Sequence, residues 1–450
     1  MLLSTLALAL ALPTFAAAET QIIDDSTLQK ATERACQRAE RVQIGFTGEC
    51  SASSLQRRVL TGDVVEYTFD VRVGSGPYDV IGLHRVVRET APFEPAGTDE
   101  SVLLLHGDIW GFQAAFLSDP VRNLPVLLAQ NGVDVWGIDQ RWTRVPASTT
   151  DFSFMQGWGL SHDVHDLYIA LSVARGVRLF TGSGFDRMDL LGWSRGGIIG
   201  YAYLNAETQV PGGLRNVNGF IPVDIYLKTD DEGFRQAACR RSAAQEAGYA
   251  AGQFANASGS LVQTIALLAT VDPAGASPIF PGLTNDQAAL LTGEATFIIF
   301  PPDQQSVPVY HFTGGTFAAE PAPSGLPVPT GLLYSPEPTW IKLLQGAAPF
   351  QAARQIADSE LVICNEQDVP FDDHLAEITN PVLYMGAGGG FGEYGIYTTT
   401  LLGSTDVTTH VVDLQPDELR LFDFGHADLF IGNQAETLVW RPILEWIQAH

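Results

Sequence analysis

The sequence predicts an α/β fold in which a mostly parallel central sheet is covered by helices and interrupted by one large insertion. Three observations carry this reading. Short apolar runs that suit strands buried on both faces alternate with helical stretches. The alternation stops near Thr229 and resumes near Asn380. A glycine-flanked serine stands where one buried strand meets a helix, in Gly192-Trp193-Ser194-Arg195-Gly196.

The first residues, MLLSTLALALALPTFAAAE, read as a secretory leader, although basic residues are missing ahead of the apolar run. Pro13 breaks that run, and Ala16-Ala17-Ala18 offer a cleavage site before Glu19. The run is too short to span a bilayer. Residues 1–18 are therefore expected to be removed, leaving a secreted or periplasmic protein with no membrane anchor.

Residues 19–60 are expected to form an N-terminal arm, with an amphipathic helix over 25–41 capped by Asp25 or Ser26. VVEYTFDVRV and YDVIGLHRVV, split by Gly-Ser-Gly-Pro, predict a hairpin. SVLLLHG predicts a buried strand. A helix over 120–130, strand VDVWGID, a long helix from Ser161, strand MDLLGW, a short helix after Ser194 and strand GFIPVDIYL follow. Later come strands PVLYMGA and THVVDL and a final helix in AETLVWRPILEWI. Residues 61–225 and 379–450 thus read as one domain.

The stretch between them, 226–378, is helical at first and then rich in proline, as in PAGASPIFPG, FPPDQQSVPV and EPAPSGLPVPTG. It far exceeds ordinary loop length and is expected to be an inserted cap.

The chain has 450 residues, 46% of them apolar, enough to bury a large core. The formal charge is −26, and the 25 basic residues, three of them Lys, form no patch. Nucleic acid is therefore a poor partner and anionic membrane surfaces are disfavoured, and the acidity reads as solubility. The four cysteines allow three pairings and fit an oxidising compartment. Cys36–Cys50 and Cys239–Cys364 are favoured. The first closes a short loop, worth about 3 kcal/mol in the chain-entropy model; the second would pin the base of the cap. Asn256-Ala257-Ser258 is a glycosylation sequon if the host is eukaryotic. The sequence says nothing of the oligomeric state.

The chemistry centres on Ser194. A tight strand-to-helix turn with glycines on both sides holds a serine oxygen out at the strand end, over a helix N-terminus that favours negative charge. His106-Gly107-Asp108 ends an earlier buried strand. The backbone N–H groups of Asp108 and Arg195 are the candidate oxyanion donors. His426, in Phe424-Gly425-His426-Ala427-Asp428 between the last strand and the last helix, is the candidate base. His162 and His165 stand near Asp163 and Asp166 at metal-like spacing, but the ligand pattern is incomplete and no metal is expected. GAGGGFG lacks the spacing of a dinucleotide loop, and no cofactor is implied.

On HGD, GWSRGG and the ending GHADLFIGNQAETLVWRPILEWI, the chain resembles the α/β-hydrolase superfamily over roughly residues 100–225 and 380–450. The likeness is to lid-bearing serine esterases and lipases. It implies a triad in the chain order Ser, acid, His, with the cap after the strand that follows the elbow helix. Ser194, His426 and the insertion match. A serine nucleophile, rather than Asp, argues against haloalkane dehalogenase or epoxide hydrolase chemistry.

The acid is where the chain departs from the superfamily's pattern. After PVLYMGA, glycines stand where an Asp is usual, and Glu393 follows them. The other site the superfamily uses is the end of the strand after the elbow helix, where Asp224 stands. Asp224 and Glu393 are the two main candidates, with Asp372, Asp373 and Asp413 behind them.

The expected function is hydrolysis of a largely hydrophobic ester or lactone through an acyl-enzyme on Ser194. Trp110 and Trp193 are candidate substrate contacts. Trp110, Trp142 and Trp158 come from loops that could line the mouth, although most of these apolar residues are expected to form the cap's own core. Arg195 either meets a substrate carboxylate or pairs with an Asp. Acyl transfer to another nucleophile and a non-catalytic binding role on the same fold are the alternatives.

Overall fold

The computed structural model describes residues 22–42 and 50–450, so the expected leader over 1–18 lies outside the described residues. One sheet organises the molecule. Its principal strands are β1 (Gln56–Thr61), β2 (Val64–Arg72), β3 (Val80–Ala91), β4 (Ser101–Leu105), β5 (Asp134–Asp139), β6 (Met188–Trp193), β7 (Val217–Val223), β8 (Val382–Ala387) and β9 (Val407–Val412). Their spatial order is β1-β2-β3-β5-β4-β6-β7-β8-β9. The first three strands and the β3/β5 pair are antiparallel, and everything from β5 to β9 is parallel. The sheet begins inside the expected arm, with a two-residue strand Ser51–Ala52 that pairs antiparallel with β2.

Alternation along the strands divides the core into two layers. Leu103, Leu105, Trp136, Ile138, Leu190 and Phe220 pack on one face. Val102, Leu104, Val135, Leu191, Trp193 and Ile221 pack on the other. Strands buried on both faces have no room for the polar-out alternation of a one-sided sheet, which is why these segments read as continuous apolar runs. The helix Asp25–Arg41 buries Leu28, Ala31, Ala35 and Ala39 and packs on the long helix Leu160–Phe180, where Gly176 lets Ala31 approach. Its cap is Asp24, which accepts the N–H of Thr27 at 2.8 Å, rather than the expected Asp25 or Ser26. The helix expected over 120–130 starts only at Leu124, because Asn123 caps it by accepting the N–H of Val126.

Between β7 and β8 lie the helices Glu232–Ala250, Ser258–Val271, Asn285–Glu294, Glu337–Gln345 and Ala353–Cys364, with two small antiparallel strand pairs. The first and last of these helices pack side by side and are joined by Cys239–Cys364, with a Cα separation of 4.7 Å. Cys36 pairs with Cys50. No helix among the described residues is long and apolar enough to cross a membrane.

Candidate active site

Two strained backbone positions lie side by side at the C-terminal ends of β6 and β7. Ser194 has φ 58° and ψ −131°, and Asp224 has φ 51°. A positive φ is costly for any residue with a Cβ, about 1–3 kcal/mol, and persists only where the surroundings enforce it. At Ser194 they do. Its N–H donates to the carbonyl of Val223 at 2.9 Å, and its carbonyl accepts from Gly197 at 2.8 Å, which starts the helix Arg195–Glu207. The glycines around it are required by space. A Cβ on Gly107 would lie 2.6 Å from the Ser194 Cβ, and one on Gly192 would meet Gly197 Cα at 2.7 Å. A Cβ on Gly196 would strike the carbonyl of Leu105.

His426 is fully buried, and its Nδ1 lies 2.6 Å from Asp224 Oδ2. The other carboxylate oxygen, Oδ1, accepts three backbone N–H groups, from Ala387 at 2.8 Å and from Phe391 and Gly392 at 2.9 Å. The glycine run after β8 makes this cradle, since a Cβ on Gly390 would fall on the Asp224 carboxylate. The loop that lacks an acid of its own wraps the acid from the neighbouring strand. His426 Nε2 has no hydrogen-bond partner among the described residues. Its ring stacks on Trp193, the residue before Ser194, at 5.1 Å and 29°. Tyr310 and Phe312, both at 5.4 Å, and Phe391 at 6.0 Å complete an aromatic wall.

The structure does not bring the rival acids to this histidine. Glu393 is exposed in the short turn Gly392–Gly395. Asp372 pairs with Lys228, and Asp413 sits beside the carboxyl of Asp423.

On the other side of Ser194, the Arg195 guanidinium holds the Asp108 carboxylate through Nε at 2.5 Å and Nη2 at 3.0 Å. Gln351 donates to the same carboxylate at 2.5 Å. Burial alone would raise the Asp108 carboxyl, but Arg195 and Gln351 bring it below the usual carboxylate range, so it is ionised. Arg195 also lies 3.6 Å from Glu360. Its side chain is thus committed within the protein, in the manner of the Asp-paired reading. Among the described residues, neither the Asp108 nor the Arg195 backbone N–H donates to another protein group.

Trp110 and Trp193 are only 2% and 1% exposed and stack on each other at 5.7 Å and 15°. Trp193 in turn stacks on His426. Trp142 and Trp158 are buried as well. His162 and His165 do not gather a ligand set, because Arg141 takes both oxygens of Asp166. Sequence reasoning missed the wall of Tyr310, Phe312 and Phe391, whose proline-rich and glycine-rich segments carry no periodic signal.

The strand order, with its antiparallel start, parallel continuation and crossing at β5 and β4, together with a serine elbow after β6 and a histidine after β9, is that of the α/β-hydrolase fold. A solved structure agrees with this fold. A Sulfolobus solfataricus protein provisionally described as a lipase superposes with a TM-score of 0.56 at 18% identity, covering 88% of this chain and 99% of that one. An esterase from Thermogutta terrifontis gives 0.40 at 14% identity, over 88% and 98%. An evolved variant of potato epoxide hydrolase gives 0.41 at 12%, over 88% and 100%. No family model and no curated protein sequence matches the chain.

Proposed function

We propose that this chain is an exported serine hydrolase that cleaves a carboxylic ester or lactone of a largely hydrophobic substrate. The observation that carries the reading is the 2.6 Å contact of Asp224 with His426 Nδ1, made beside a serine held at positive φ. Asp224 keeps the Nδ1 proton, so Nε2 is the basic nitrogen. Ser194 attacks the carbonyl as its proton passes to His426 Nε2. The tetrahedral oxyanion rests on the Asp108 and Arg195 N–H groups, the second at a helix N-terminus. His426 then protonates the leaving oxygen, and water, activated by the same nitrogen, releases the acyl group from Ser194.

The aromatic wall of Tyr310, Phe312 and Phe391 supports an apolar acyl or alcohol portion. Residues 226–378, which supply two of those rings, serve as the cap over the site, and 61–225 with 379–450 as the catalytic domain. The two disulfides fit an oxidising compartment outside the cytoplasm.

Pre-steady-state hydrolysis of nitrophenyl esters of increasing chain length tests this. The expected result is a burst of nitrophenol stoichiometric with protein, lost in Ser194→Ala. Turnover that survives Ser194→Ala would overturn the reading. Partition of the acyl group to added alcohol in preference to water would favour the acyltransferase alternative.

A further inference from the structure

We infer that His311 is a positioning residue for this site, its ring tying the strap Val309–Thr313 to the loop that carries His426. The inference rests on the reading of Ser194, Asp224 and His426 as the reacting groups.

His311 is fully buried, and each ring nitrogen faces a backbone carbonyl. Nδ1 lies 2.8 Å from the oxygen of Val309, and Nε2 lies 3.0 Å from that of Asp423. A carbonyl only accepts, so each contact needs an N–H. A neutral imidazole has one and therefore serves one carbonyl per tautomer. Burial pulls the ring below its ordinary pKa and Arg420 acts in the same direction, whereas the two carbonyls and Asp224 favour the charged form. At neutral pH the ring is neutral, and its tautomer decides which carbonyl it holds.

The backbone of the same residue completes the tie. The His311 N–H donates to Gly389 in the glycine cradle at 3.0 Å, and its carbonyl accepts the N–H of His426 at 3.0 Å. Next to it, Phe312 accepts the N–H of Ala427 at 2.7 Å. A Cβ on Gly389 would strike the His311 ring, and one on Gly425 would lie 2.5 Å from the Phe312 carbonyl. Val309 has φ 54°, a strained conformation for a β-branched residue, and its carbonyl faces the ring's Nδ1. Three segments far apart in sequence therefore meet at one side chain that is not itself among the reacting groups. A supporting ring of this kind fixes the catalytic geometry through another residue.

The two ring bonds can be separated. His311→Gln places an amide N–H near Nε2 and keeps the bond to Asp423. His311→Asn places one near Nδ1 and keeps the bond to Val309. His311→Leu keeps neither. Two readouts apply: kcat and KM on a nitrophenyl ester, and the downfield proton resonance of the His426 Nδ1–H bonded to Asp224.

In His311→Leu, kcat should fall about 10- to 100-fold with KM changed by no more than about twofold. The proton resonance should shift or broaden. His311→Gln should restore both, and His311→Asn should not. Equal kcat in all three variants at full folding, with only the melting temperature lowered, would reduce the ring to core packing and overturn the inference. If His311→Leu does not fold, the contrast of Gln with Asn decides, and equal behaviour of those two refutes it. If the wild type hydrolyses no ester, the proposed function fails. The resonance then judges His311 alone, and an unchanged signal in His311→Leu refutes it.

Discussion

Asp224→Asn is the perturbation whose consequence the structure fixes most tightly. Asp224 Oδ1 accepts three backbone N–H groups, so an asparagine must turn its carbonyl oxygen to that cradle. Its NH2 group then faces His426 Nδ1 in place of the carboxylate oxygen now at 2.6 Å. An NH2 group donates, which forces Nδ1 to accept and moves the ring proton to Nε2. Nε2 can then no longer take the Ser194 proton. The backbone geometry survives while the tautomer is wrong, a change worth roughly 10⁴ in kcat, or about 5.5 kcal/mol of transition-state stabilisation. The assay is kcat on a nitrophenyl ester, with circular dichroism and melting temperature confirming the fold. Glu393→Gln, run in parallel, should leave kcat within about twofold of wild type, because the residue is exposed. An Asp224→Asn enzyme retaining more than about a tenth of wild-type kcat, or a Glu393→Gln enzyme losing most of it, would refute the reasoning.

Arg195→Met leaves the ionised Asp108 carboxylate without its guanidinium beside the oxyanion site. It should cost about 2 kcal/mol of stability, discounted because a third of Asp108 is accessible, and should lower kcat. Asp108→Asn added to Arg195→Met should recover most of both losses in a denaturation and kinetic double-mutant cycle. Glu294 is fully buried with neither oxygen hydrogen-bonded among the described residues, and burial, reinforced by Glu337 and Asp428, pushes its carboxyl up to about 9. The folded state therefore holds a proton that the unfolded chain releases above its ordinary value of 4.5, and stability falls as pH rises from there towards 9. Glu294→Gln should remove that slope, adding about 3–4 kcal/mol at pH 7 and nothing at pH 4 in urea titrations at the two pH values. Gly107→Ala must displace Ser194 or the oxyanion loop, since its Cβ would lie 2.6 Å from the Ser194 Cβ. It should lower kcat by at least about tenfold with little change in melting temperature.

The parts of this site that are legible in the sequence are the local ones. Strand Met188–Trp193, the turn at Ser194 and the helix from Arg195 are contiguous, so their pattern and purpose can be read together. The helix Asp25–Arg41 follows its apolar stripe for the same reason. Its cap is Asp24, one or two residues before the expected Asp25 or Ser26; all three carry suitable oxygens, and Asp24 is the one whose backbone is still extended. The strand expected over GFIPVDIYL stops at Val223, because Asp224 leaves the extended conformation to face the histidine.

The choice between Asp224 and Glu393 lay beyond the sequence for a different reason. What holds Asp224 against His426 is a cradle of amides more than 160 residues further along, built from glycines whose role appears only when β7 and β8 pair. The wall of Tyr310, Phe312 and Phe391 and the His311 tie share this character. They come from segments without periodicity, brought together by the sheet.

The most direct test of the central claim is labelling with a fluorophosphonate probe, wild type beside Ser194→Ala, followed by mapping of the modified peptide. Stoichiometric labelling of Ser194, lost in Ser194→Ala and slowed in Asp224→Asn, is the predicted result. A folded wild type that stays unlabelled, or that carries the label on another serine, would contradict the account.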